Sequence, residues 1–166
     1  MTIAARLSPL QQTAATATDI WNDSCAVDEL QYAIEHGAVG ATANPTIVHD
    51  VWKKDPARWG GRVRELAADL PEATEVDLAW AIVEEMSRES APLLLPAFEH
   101  FRGKQGRLSM QTNPTFWRSP AEMVTQAESF TRVAPNIVVK FPATKAGIVA
   151  MEEATYRGVS VNCTVS

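Results

Sequence analysis

Residues 137–142 read Ile-Val-Val-Lys-Phe-Pro, and this stretch decides the fold of the 166-residue chain. Its β-branched run, Ile137–Val139, is typical of a strand that is covered on both faces in a parallel sheet. A helix is predicted over residues 144–157, where Gly158 ends it, and a second apolar run of strand length follows at residues 159–163. A strand, a helix and another strand in this order form a βαβ unit, which predicts a parallel sheet.

The same alternation of strands and helices extends toward the amino terminus. Helices are predicted over residues 28–36 and from Ser119 onward, where Ser119 and Glu122 have the spacing of a capping box. Residues 56–101 are predicted to be mostly helical and broken into pieces by prolines. These prolines are Pro71, Pro92 and Pro96. The remaining strands are predicted at residues 18–21, 39–42 and 108–111.

Each predicted strand ends in a polar residue, which is typical of the active face of a (β/α)8 barrel. These residues are Asp23, Asn44, Gln111, Lys140 and Asn162. A nucleotide-binding doubly wound sheet is not supported, because the chain has neither G-x-G-x-x-G nor G-x-x-x-x-G-K-[ST]. We predict an α/β fold in one domain spanning residues 1–166. The predicted fold is an incomplete (β/α)8 TIM barrel that contains about five of the eight strands. A helical insertion is predicted between strands 2 and 3.

The composition excludes several classes of function. Apolar residues make up 46% and charged residues 21% of the chain, as in ordinary globular domains. The net charge of −5 and the absence of a basic cluster argue against a nucleic-acid partner. Without a signal sequence or a membrane-length apolar stretch, we expect no membrane association and a cytoplasmic location. Two cysteines, Cys25 and Cys163, are too few for a disulfide framework, and no metal site is predicted.

Lys140 is the most informative of the strand-end residues. Period-2 alternation places it on the same strand face as Val138, which we expect to line the barrel interior. An ammonium group in a water-poor interior is costly, which favours the neutral amine, and a neutral lysine near a carbonyl substrate forms a Schiff base. On position alone, a strand-end lysine that extends into water fits equally well.

The other candidates also have ordinary interpretations. Asp23 can move protons to and from a substrate hydroxyl, but Asn-Asp-Ser is also turn chemistry. Asn44 can donate to substrate hydroxyls, but it also fits the N-cap of a helix with Pro45 at its first position. Asn162 ends a strand, where asparagine is disfavoured, and this favours a functional role for it. Thr164 lies on the same face of this strand.

Taken together, these residues resemble the transaldolase family of Schiff-base-forming (β/α)8 enzymes. The stretches that carry the resemblance are 21–23 (WND), 40–47 (GATANPTI), 106–111 (GRLSMQ), 136–144 (NIVVKFPAT) and 158–164 (GVSVNCT). Their order and spacing fit from about residue 18 to the last residue. The lysine strand with Pro-Ala-Thr, and Val-Asn-x-Thr downstream of it, is the specific part of the match.

The resemblance implies a role for each of these residues and needs no cofactor. Lys140 matches the lysine that attacks a ketose carbonyl, and Asp23 matches the carboxylate that takes the C4 hydroxyl proton during C3–C4 cleavage. Asn44 and Asn162 match residues that bind the dihydroxyacetone hydroxyls, and Thr164 matches a supporting hydroxyl near the lysine. The implied activity is transaldolase transfer of a dihydroxyacetone unit between sugar phosphates, such as sedoheptulose 7-phosphate and fructose 6-phosphate.

Two departures from the family pattern leave alternatives open. Gln111 stands where the family usually carries a glutamate. In this position the sequence resembles the related fructose-6-phosphate aldolases, which also carry a glutamine there and release dihydroxyacetone. The family's sixth strand, its phosphate-binding arginine and the closing strands are absent from this sequence. We therefore expect the amino-terminal part of a longer enzyme, with self-association or a completing carboxyl-terminal segment as its partner. A catalytically inert barrel fragment is the remaining alternative.

Overall fold

The computed structural model describes residues 7–165, and its centre is one five-stranded parallel sheet. The strands are β1 (Ile20–Asn22), β2 (Ala38–Ala43), β3 (Arg107–Gln111), β4 (Ile137–Pro142) and β5 (Val161–Thr164). They lie side by side in chain order, and every neighbouring pair is parallel. Five parallel strands with helices between them form a half-barrel, which confirms the predicted incomplete TIM barrel.

Seven helices and one 3-10 turn lie within the described residues. They are α1 (Pro9–Ala14), α2 (Val27–Glu35), α3 (Pro45–Lys54), α4 (Pro56–Asp69), α5 (Glu75–His100), the 3-10 turn (Pro114–Phe116), α6 (Pro120–Thr131) and α7 (Lys145–Tyr156). Helices α3, α4 and α5 all lie between β2 and β3, which confirms the predicted helical insertion. No helix within residues 7–165 is long and apolar enough to cross a membrane.

The two faces of the sheet have different surroundings. One face packs against the helices and holds side chains that are fully buried in the main hydrophobic core, such as Leu108, Met110, Val139 and Phe141. The alternate residues of the same strands, including Ser109, point to the opposite, concave face. We call this concave face the lumen face. The period-2 alternation of the strands therefore separates the residues that pack against the helices from those that face the lumen, which include Ser109 and Val138.

Helix α5 runs without a break through Pro92 and Pro96, so the predicted breaks at these two prolines are wrong. Both prolines are exposed, and the two carbonyls that they leave without an intrahelical donor belong to exposed residues, Arg88 and Pro92. The opposite side of α5 buries a mostly apolar stripe against the sheet, which outweighs the lost hydrogen bonds. The break at Pro71 is real, because α4 ends at Asp69.

Asn136 joins α5 to the start of two strands. Its side chain is fully buried, and its Nδ2 donates to the carbonyls of Ala91 and Gly106, each at 2.8 Å. Gly106 has a φ of +75°, and a Cβ there would lie 2.0 Å from the backbone nitrogen of Phe98. Only glycine allows this close approach of the β3 start to α5. Asn136 and Gly106 therefore fix the positions of the starts of β3 and β4 relative to α5.

Candidate active site

Gln111, Lys140 and Asn162 lie side by side on three neighbouring strands. Gln111 of β3 pairs in register with Lys140 of β4, and Lys140 pairs in register with Asn162 of β5. Residues paired in register in a parallel sheet point to the same face, and adjacent strands are about 4.8 Å apart. All three side chains are half-buried. We call Gln111, Lys140 and Asn162 the lysine row.

The backbone that carries Lys140 is held firmly at this edge of the sheet. The backbone N–H of Thr112 donates to the Lys140 carbonyl at 3.0 Å, and the Thr112 hydroxyl donates to the same oxygen at 3.3 Å. On the other side, the N–H of Ala143 donates to the carbonyl of Thr164 at 2.7 Å. The amine therefore extends from a fixed strand end rather than from a loose loop.

Asp23 lies just beyond the end of β1, and its carboxylate turns toward the next strand. The hydroxyl of Thr42 on β2 donates to Oδ1 of Asp23 at 2.7 Å. The turn after β1 is stabilised by the neighbours of Asp23: Nδ2 of Asn22 donates to the carbonyl of Ser24 at 2.9 Å, and the N–H of Ala26 donates to the Ser24 hydroxyl at 3.2 Å. The Asp23 carboxylate is exposed and remains accessible to a ligand at the carboxyl end of the sheet.

Asn44 follows β2 at the same end of the sheet and caps α3. Its Oδ1 accepts a hydrogen bond from the backbone N–H of Ile47 at 2.9 Å, with Pro45 at the first helical position. The structure thus gives Asn44 the ordinary capping role that the sequence allowed. Its amide nitrogen, which carries two donors, is left over for other partners.

Asn162 and Thr164 lie on one face of β5. Nδ2 of Asn162 donates to the hydroxyl of Ser109 on β3 at 3.2 Å. Thr164 is two residues further on and pairs in register with Pro142, so it lies one step closer to the open end than the lysine row. The sequence analysis did not predict Ser109 as the partner of Asn162. Its position two residues before Gln111 was the available signal, because alternate residues of a strand share a face.

Neither cysteine belongs to this site. Cys25 is 2% exposed, and burial raises the pKa of its thiol to about 11, so the thiol stays protonated near neutral pH. Cys163 is exposed but pairs in register with Phe141, which points into the helical layer. The side chain that β4 places at this end of the lumen face is that of Lys140.

An amine, a carboxylate and amides at the carboxyl ends of a parallel half-barrel define a barrel site of the kind that binds polar small molecules. A sequence profile of the Transaldolase/Fructose-6-phosphate aldolase family matches residues 20–165, and the chain belongs to this family. The match includes every strand of the sheet.

Individual relatives agree with the family assignment. The chain is 30% identical to a transaldolase from Thermobifida fusca (strain YX) over 169 residues, which cover 95% of this chain and 44% of that protein. It is 28% identical to a transaldolase from Mycolicibacterium smegmatis over 165 residues, covering 94% of this chain and 43% of the relative. The chain thus spans less than half the length of these relatives, consistent with the amino-terminal part of such a protein.

Proposed function

We propose that this chain supplies the Schiff-base half of a transaldolase site, in which Lys140 binds a ketose phosphate covalently. The observation that supports this most is the lysine row, since Lys140 pairs in register with Gln111 on one side and with Asn162 on the other. Both amides can hydrogen-bond the hydroxyls that flank a ketose carbonyl. Asp23 lies at the same edge, oriented by Thr42.

The proposed reaction uses these groups as follows. The neutral amine of Lys140 attacks C2 of the ketose, and loss of water gives a protonated imine. Asp23 takes the proton of the C4 hydroxyl, and the C3–C4 bond breaks. The electron pair of that bond moves into the imine and gives an enamine. An aldose leaves. The enamine then attacks the aldehyde carbon of an acceptor aldose phosphate, Asp23 returns the proton, and water releases the new ketose from Lys140.

Gln111 supports a second candidate function. A glutamine can orient the water of imine formation but cannot accept its proton near neutral pH. An enzyme with this residue can instead let a solvent proton reach C3 of the enamine, after which hydrolysis releases free dihydroxyacetone. This fructose-6-phosphate-aldolase-like reaction uses the same Lys140 and Asp23 and needs no acceptor.

Product analysis distinguishes the alternatives. With fructose 6-phosphate and an acceptor aldose phosphate, the proposal predicts a new ketose phosphate and no accumulation of dihydroxyacetone. Free dihydroxyacetone in quantity without an acceptor would favour the aldolase reaction over transfer. No product in either mixture would favour the inert fragment.

Two variants form a matched pair. Lys140→Met should lose all turnover. Lys145→Met, which replaces an exposed lysine at the start of α7, should keep it.

A further inference from the structure

Ser109 lies beneath the lysine row on the lumen face. It is 1% exposed, and on β3 it pairs in register with Thr42 of β2 and Val138 of β4. Because Gln111 is two residues further along β3, both side chains point to the same face, with Ser109 deeper. A hydroxyl this deeply buried needs a hydrogen-bond partner, and Asn162 provides one.

The bond from Asn162 to Ser109 connects strands that are not neighbours. Asn162 belongs to β5 and Ser109 to β3, with β4 between them. Asn162 pairs with Lys140, whereas Ser109 pairs with Val138, so the bond crosses β4 between these two side chains. This bond therefore holds the side-chain amide of Asn162 close to the lumen face, on the strand next to that of Lys140.

We propose that Ser109 is a positioning residue that fixes the side chain of Asn162 for the ketose, an inference that rests on the proposed function. One N–H of Asn162 is used by Ser109, which leaves its second N–H and its oxygen for a ligand bound next to Lys140, the residue that pairs in register with Asn162. A free asparagine side chain rotates about two bonds and loses this freedom when it binds a ligand. Ser109 removes that freedom before the sugar arrives, which lowers the cost of binding.

The test combines kinetics with a direct observation of the amide. In Ser109→Ala we expect the KM for the ketose phosphate to rise by about threefold to tenfold, the effect of one lost hydrogen bond. We expect kcat to change by less than about twofold, because Asn162 binds the sugar but does not take part in bond cleavage. In the 15N–1H spectrum, the side-chain amide signals of Asn162 should shift and their protons should exchange faster with water.

Three further variants separate positioning from stability. Ser109→Thr keeps the hydroxyl and should restore the KM, whereas Ser109→Cys fills the space with a weak acceptor and should behave like Ser109→Ala. Ser87→Ala is the matched control, since Ser87 is equally buried but donates to the carbonyl of Val83 within α5 at 2.7 Å. It should lower stability without changing the KM.

The two levels of the proposal fail in different ways. Unchanged KM and unchanged Asn162 amide signals in an active Ser109→Ala variant would overturn the role of Ser109 and leave the proposed function intact. A parent chain without any turnover of the ketose phosphate would overturn the proposed function and the inference that rests on it.

Discussion

Asp23 is the carboxylate of the candidate site, and Thr42 orients it. The hydrogen bond from Thr42 holds one of its oxygens, while the other remains free to meet a ligand at the edge of the sheet. A carboxylate at this edge of the sheet can accept a proton from the hydroxyl of a sugar bound there. In the proposed reaction this proton transfer is needed for C3–C4 cleavage but not for the first attack by Lys140.

Replacing Asp23 should therefore separate the two steps. We expect Asp23→Ala to lower turnover by about 10²-fold to 10⁴-fold, the usual contribution of a general base. Reduction with borohydride should still trap ketose on Lys140. The control is Asp69→Ala, an exposed carboxylate at the end of α4. Full turnover in Asp23→Ala would remove Asp23 from its proposed role.

Gln111 gives a second prediction at the level of single residues. In Gln111→Glu a carboxylate adjoins Lys140 and can take a proton from the water of imine formation, so imine formation should be faster by about tenfold. To measure this rate, the reaction is stopped with borohydride at short times, and the amount of sugar bound to Lys140 is determined. Gln31→Glu, which makes the same charge change on the exposed surface of α2, is the matched control. An equal rate in Gln111→Glu and the parent chain would contradict this role of residue 111 in imine formation.

The sequence allowed the candidate site residues to be identified, but not their partners. Alternation and strand ends indicated which side chains share a face, and this requires only the period of a strand. The bonds of Asp23 to Thr42 and of Asn162 to Ser109 depend on the register between strands, which no single strand encodes. Asn44 shows the opposite case, since its capping bond is local and was readable from Asn44-Pro45 alone.

At the scale of elements, Asn136 connects the helical layer to the sheet. Replacing it with alanine would remove the donors to two buried carbonyls and leave a small cavity. We expect Asn136→Ala to lower the free energy of unfolding by about 2–4 kcal/mol, measured by urea denaturation. Gln12→Ala is the control, because Gln12 also donates to a carbonyl, that of Leu7, but is exposed. A change of less than about 0.5 kcal/mol in Asn136→Ala would contradict this role.

The elements were predicted best where signals are local. The helix from Ser119 begins as predicted, and the Ser119 hydroxyl accepts from the N–H of Glu122, although the N–H of Ser119 itself donates to Phe116 instead of completing the capping box. Strand β5 begins at Val161, two residues later than predicted, because the N–H of Val159 donates to Ala154 and closes α7. Helix α5 passes its prolines because tertiary packing overrides a local signal.

At the scale of the whole molecule, the sheet has two edges. Within residues 7–165, β1 pairs with β2 and β5 pairs with β4, so β1 and β5 are the edges of the sheet, and edge strands tend to pair with other chains. The alternation of strands and helices predicted this half-barrel from sequence, since each βα unit is local. What pairs with the edges is a long-range property that the pattern of elements does not determine.

The open edges predict association of the 166-residue chain. We expect light scattering after size-exclusion chromatography to show a mass that rises with concentration, and a broad thermal transition. Cys163→Lys places a charge on edge strand β5 and should lower association. Tyr156→Lys, which adds a charge at an 88% exposed position of α7 and not on an edge strand, should leave association unchanged. A monomer with one sharp, cooperative transition at all concentrations would contradict the prediction.

The covalent bond between Lys140 and the sugar is the step on which the whole account depends. The most direct measurement is peptide mass mapping of the chain after incubation with fructose 6-phosphate and reduction with borohydride. The account predicts one added dihydroxyacetone-derived or ketose-derived mass, located on the peptide that contains Lys140 and absent in Lys140→Met. A folded chain that carries no such adduct, or carries it on other lysines to the same extent, would contradict the account.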